Sequence, residues 1–98
     1  VNRPTTVRVL GRPVTIKYVK GLPDYGNFYA REALIKVREG LPAVEERDTL
    51  LHEILHAVWF FMDIGKPSNE EHVVRKMSNG LTAVLQDNPE LHQYLGPI

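Results

Sequence analysis

Two histidines and a glutamate stand together in His52-Glu53-Ile54-Leu55-His56, inside a run of helix-forming residues. Positions four apart on a helix share one face, with Cβ atoms about 5–6 Å apart, so both imidazoles can point a ring nitrogen at one ion. Glu53 projects from the next position, where its carboxylate can reach a metal-bound water without being a ligand. Zinc lowers the pKa of bound water to about 7, and a carboxylate can then take its proton while the water attacks a carbonyl polarised by the metal. The chemistry implied by this spacing is hydrolysis of an amide bond. The bland alternative is a helix that carries two histidines four apart by coincidence. The flanks weigh against it: Leu50, Leu51, Ile54, Leu55 and the run from Ala57 to Met62 are apolar on nearly all sides, which places the helix in the centre of a small domain. Burying three unsatisfied polar groups there would cost roughly 1–3 kcal/mol each. One metal ion satisfies all three.

A catalytic zinc site takes three protein ligands and keeps an open position, so a third ligand must come from elsewhere in the chain. The chain has no cysteine, which leaves His, Asp and Glu. The residue six positions after His56 is Met62, which excludes the metzincin spacing. Glu70 and Glu71 open a second helix, and either would complete a two-His, one-Glu set. Both also suit a first helical turn, and Ser68-Asn69-Glu70-Glu71 has the form of a capping box with Glu71 as the capping carboxylate. The spacing Glu70, Val74, Met77, Leu81, Val84 puts Glu70 on the apolar face. The spacing Glu71, Val74, Ser78, Leu81, Leu85 does the same for Glu71, and small Ser78 would let the helix come close to its neighbour. That favours Glu71, with Glu70 as the alternate third ligand. His72 would have to turn away from the stripe to compete, and His72 and His92 are expected at the surface. Tyr25, Tyr29 and Tyr94 are expected as core or rim aromatics.

The elements that must position these residues follow from periodicity. Residues 6–10 and 14–19 alternate about a break at Gly11-Arg12-Pro13, which predicts an antiparallel hairpin. Residues 21–27, with two glycines, a proline, an aspartate and an asparagine, predict a loop. Leu34 to Arg38 alternates again and predicts a third strand, ended by Gly40 and Pro42. Lys36 and Arg38 mark it as an edge strand guarded by charge, an edge that could also accept an extended peptide. A helix is expected from Pro42 or Ala43, with Glu45 and Glu46 in its first turn, stopped by Asp63-Ile64-Gly65-Lys66-Pro67 with Gly65 as the left-handed cap. The second helix should begin at Ser68 or Asn69 and carry one apolar stripe of Val74, Met77, Ser78, Leu81, Val84 and Leu85. Asn88 and Pro89 should start a short terminal helix through Leu95.

Composition sets the frame. Ninety-eight residues with 43% hydrophobic content predict one domain spanning 1–98. Twelve basic residues balance twelve acidic ones, which removes the electrostatic footprint of a dedicated nucleic-acid or membrane-surface binder. The stretch Val1-Asn2-Arg3-Pro4-Thr5-Thr6 does not have the apolar character of a signal-peptide core, and the longest apolar run, Ala57 to Met62, is far short of the roughly 20 residues that span a bilayer. A cytoplasmic protein is expected. Trp59-Phe60-Phe61 suits either a core or a dimer surface, so the oligomeric state stays open.

With these residues assembled, the chain resembles the minimal zincin peptidases of bacteria and their phages. It is most similar to the gluzincin-type group that includes the ImmA/IrrE-like proteins, with a general likeness to SprT-like domains. The resemblance rests on Thr49-Leu50-Leu51-His52-Glu53-Ile54-Leu55-His56-Ala57 and on Glu70-Glu71-His72-Val73-Val74-Arg75-Lys76-Met77-Ser78, which looks like the family's Glu-x-x-small helix. Laid on this chain, Glu71 takes the place of the third zinc ligand, Val74 the position three later and Ser78 the small position seven later. The resemblance implies an α+β, zincin-like fold, with a small antiparallel or mixed sheet of about three strands packed on the motif helix and on a glutamate-bearing helix. It implies zinc held by His52, His56 and Glu71, Glu53 as the catalytic general base, a protein or peptide substrate, and residence in the cytoplasm of a bacterium or phage-infected cell. The strand before the motif helix sits where zincins place a substrate-aligning edge strand. Three departures bear on this. Val74 is bulkier than the usual Ala, and Arg75 stands where thermolysin-like relatives keep an acid that orients a ligand histidine, so His52 or His56 needs another partner. The chain also leaves no room for the extra domain that walls the cleft in larger gluzincins, and an open cleft suits an extended or locally unfolded segment. The rival expectation is a zincin-shaped, non-cleaving binding or inhibitory module of a phage, against which the intact Glu53 argues.

Overall fold

The computed structural model describes residues 3–96. The chain forms four strands, β1 (Thr6–Val9), β2 (Arg12–Val19), β3 (Gly26–Tyr29) and β4 (Leu34–Arg38), then three helices, α1 (Ala43–Met62), α2 (Pro67–Asp87) and α3 (Leu91–Leu95). The class is α+β, with one mixed sheet in the order β1-β2-β4-β3. No helix among the described residues is long and apolar enough to cross a membrane.

Strand alternation builds the core. Val14 and Ile16 of β2, and Ile35 and Val37 of β4, point to one face, where they are buried together with Val9 and with Ala57 of α1. Parallel pairing of Ile16 with Ile35 and antiparallel pairing of Ile35 with Phe28 keep that face continuous across the sheet. Leu50, Ile54, Val58 and Phe61 of α1 lie against it, partly buried. Phe28, Phe60 and Phe61 meet edge to face with ring centroids 5.6–6.3 Å apart, so the aromatic run of α1 turns partly inward, although Phe60 stays 56% exposed.

The hairpin forms where alternation places it, but its turn is Leu10-Gly11, both at positive φ as a primed two-residue turn requires, and Arg12-Pro13 belongs to β2. The sheet has four strands rather than three, because Gly26-Asn27 starts β3 instead of ending a loop. Consequently β4 is interior, between β2 and β3, and the free edge on that side is β3. Lys36 and Arg38 therefore do not guard an edge: Lys36 lies over the Tyr29 ring, and Arg38 binds carbonyls of the preceding loop.

The helices differ in similar detail. Asp63, not Gly65, takes the left-handed cap of α1. Pro67 does not stop a helix but occupies the first turn of α2, which has no side-chain cap, so the capping box is not formed. Asn88 closes α2 through Nδ2 to the Val84 carbonyl, and α3 starts only at Leu91. Helix α1 is not wrapped on all sides: Thr49, Glu53 and Ala57 are its buried residues, a single line facing the sheet. On α2, Val74 and Ser78 are buried against α1, whereas Met77, Leu81, Val84 and Leu85 remain exposed. A sheet this small and one neighbouring helix cannot cover more.

Gly26 brings the edge strand onto the motif helix. A Cβ there would lie 2.7 Å from Thr49 Cγ2 and 3.1 Å from Glu53 Cγ. Replacing Gly26 by Ala should destabilise the protein by about 1–3 kcal/mol through overpacking, more than the roughly 0.4–1 kcal/mol returned by stiffening the unfolded chain. Urea denaturation of Gly26→Ala, Thr49→Ser and the double variant tests this. Removing Cγ2 in the double variant should recover part of the loss, and a neutral Gly26→Ala would contradict the close approach.

Candidate metal centre

Helices α1 and α2 run side by side so that Ser78 lies beside His52 and Thr82 donates to Asp48 at 3.3 Å. Ser78 is 1% exposed. Its small side chain lets α2 approach the motif helix and brings the first turn of α2 against the histidines. There His52 Nε2, His56 Nε2 and one oxygen of Glu71 converge. His52 Nε2 is 3.2 Å from Glu71 Oε1, His56 Nε2 is 2.8 Å from the same oxygen, and the two ring nitrogens are 3.2 Å apart. The edges of a tetrahedron with metal–ligand bonds of 2.0–2.1 Å are about 3.3 Å. The residues therefore fit a tetrahedral cation, and His52, His56 and Glu71 form a group that could hold one.

The backs of these groups are also engaged. His56 Nδ1 meets Glu70 Oε2 at 2.5 Å. Ser78 Oγ donates to the Arg75 carbonyl at 3.1 Å, which leaves its lone pairs for an N–H at His52 Nδ1, 3.5 Å away. With Nδ1 protonated on each ring, both Nε2 lone pairs face the common point. Arg75 Nη2 donates to Glu71 Oε2 at 3.1 Å and leaves Oε1 to the histidines. Thus Glu70 lies behind His56 rather than at the convergence point, and the partners that the histidines needed are Glu70 and Ser78. His72 and His92 are exposed and outside the group, and Tyr94 is 85% exposed.

Glu53 lies on the β3 side of the same cleft, packed against Gly26, and is 6% exposed. Burial pushes its carboxyl up to about 7; Glu71 and Asp24 add to this, and His56 opposes it. Burial also works against the charged form of His56, but its bonds to Glu70 and Glu71 prevail and its pKa is raised. Glu71 is likewise partly desolvated, yet its bonds and charge interactions with the two histidines hold its pKa down. All these groups line one cleft of about 670 Å³, together with Tyr25, Gly26 and Phe28 on the β3 side and Asp48 and Asn79 on the helix side. Asp24, Asp48 and Asn79 carry no sequence signal, because nothing in their spacing ties them to the histidines. No protein-family model, curated protein or solved structure matches the chain.

In chelator-treated protein, His56 should titrate above a free histidine by NMR, and Glu70→Gln should lower it. Because the folded-state value is raised, the stability that it contributes is complete below the unfolded-state pKa, about 6.5, and is lost as pH rises through the folded-state value. Denaturation across that window should show the decline, flattened in Glu70→Gln. A His56 that titrates below the free residue would contradict the two carboxylate contacts.

Proposed function

We propose that the protein is a zinc-dependent peptidase of zincin-like build: His52, His56 and Glu71 hold the metal, and Glu53 is the general base. The observation that carries this reading is the convergence of two Nε2 atoms and one carboxylate oxygen at tetrahedral spacing, each imidazole oriented from behind. Zinc, when bound, supplies Lewis acidity that polarises a carbonyl and makes water a nucleophile near neutral pH. Glu53 lies in the next position of the same helix, buried at the cleft floor with its pKa moved to about 7. A carboxylate so placed accepts the proton of the attacking water and returns it to the leaving amine. The cleft borders the free edge of β3, where an extended chain segment can add as a further strand through backbone hydrogen bonds. An open cleft of this kind accommodates a protein segment rather than a small enclosed molecule.

Glu53→Gln tests the assignment. Zinc content should stay near one per chain, while hydrolysis of an unstructured protein substrate should fall by about 10²-fold or more. His52→Ala should lose both zinc and activity, and a chelator should abolish wild-type cleavage reversibly. Undiminished proteolysis by Glu53→Gln would remove the base assignment. A partner that binds stoichiometrically and is never cut would favour the non-cleaving module instead.

A further inference from the structure

The loop 20–25 forms the wall of the cleft next to β3 and presents Asp24 and Tyr25 to it. One residue, Arg38 of β4, pins this loop at several points. Its Nε donates to the Leu22 carbonyl at 2.8 Å and its Nη2 to the Pro23 carbonyl at 2.5 Å. Its backbone N–H donates to the Tyr25 carbonyl at 2.7 Å, and its guanidinium lies 4.8 Å from the centre of the Tyr25 ring. The guanidinium is thus committed to backbone carbonyls on both sides of the loop's proline and not to the neighbouring carboxylate. Asp24 makes no ion pair among the described residues; its contact is an amide N–H from Asn27 at 3.3 Å.

The other charged groups of the cleft are differently placed. Glu70 and Glu71 face the histidines, Glu53 is buried, and Asp48 accepts from Thr82. Arg75 is the sole lysine or arginine among the lining residues, and it is paired with Glu71. Asp24 is exposed on a wall whose backbone is already fixed, so pairing with an incoming cation requires little further ordering of the loop.

We propose that the Arg38-pinned wall selects peptide segments carrying a lysine or arginine side chain, which Asp24 receives as the segment lies in the cleft. This deepens the peptidase reading and rests on it for the direction in which substrate enters. The test separates the two. Fluorescent peptides of one unstructured sequence, differing only in a central Arg, Gln or Glu, are titrated by anisotropy into zinc-loaded Glu53→Gln protein and compared with cleavage by the wild type. The Arg peptide should bind roughly three- to tenfold more tightly than the Glu peptide, a difference that shrinks with added salt. Asp24→Lys should reverse the order and Asp24→Asn should level it. Arg38→Met, with Asp24 intact, should weaken the discrimination without reversing it, and hydrogen exchange should quicken in the loop 20–25. An order unchanged in Asp24→Lys, or no detectable binding of any peptide, would overturn the proposal. If wild-type protein cleaves all three peptides equally, the wall is not selective while the peptidase reading stands. If it cleaves none but the charge order of binding holds, the peptidase reading fails and the wall survives as a basic-segment binding surface.

Discussion

Three electronegative atoms, two imidazole nitrogens and a carboxylate oxygen, are held within about one hydrogen-bond length of each other, and the helical layer is arranged around that juxtaposition. Left without a proton or cation between them, their lone pairs would repel. Their closeness requires that α2 pack tightly on α1, which Ser78 permits by its size and Val74 supports by its burial. It also requires that the rings not turn away, which the contacts behind each ring oppose. The same groups thus serve packing and electrostatics together. A bulkier residue at position 78 would disturb both, by pushing α2 outward and by removing the hydroxyl beside His52 Nδ1.

The sheet contributes in a different way. It buries one side of α1 along Thr49, Glu53 and Ala57, and so divides the motif between two environments. His52 and His56 meet the second helix, whereas Glu53 packs against the edge strand, where burial raises its carboxyl pKa to about 7. Gly26 lets the backbone of β3 come down onto that carboxylate. A glycine there serves close approach, not a turn: it lies in a strand, and the glycines at positive φ are Gly11, Gly21 and Gly40.

Much of this was legible from residue types and spacing, for identifiable reasons. The hairpin, the strand from Leu34 and both long helices announce themselves by regular alternation or by three- and four-residue recurrence. The pentapeptide is a local pattern and survives whatever surrounds it. Strand β3 was not legible, because its glycine and asparagine mimic a loop and its pairing partner lies on the far side of a turn. The interior position of β4 is hidden in the sequence for the same reason: strand order depends on long-range pairing, and Lys36 and Arg38 look like edge guards until their partners are known. Small Ser78 in the spacing favours Glu71 over Glu70, but the place of each carboxylate shows only in three dimensions. Adjacent helical positions both border the histidines, and which carboxylate meets Nε2 and which meets Nδ1 depends on how α2 is rotated against α1. Exposure of Met77, Leu81, Val84 and Leu85 was hidden too, since an apolar stripe in sequence does not say how far the neighbouring helix covers it.

The most direct test of the account is X-ray absorption at the zinc edge of protein loaded with one equivalent of the metal. The account predicts a first shell of nitrogen and oxygen donors at about 2.0–2.2 Å, with the multiple-scattering signature of two imidazoles that falls to one in His52→Ala. A spectrum without imidazole scattering, or one unchanged in His52→Ala, would contradict the central claim that this helix pair is built around a metal ion.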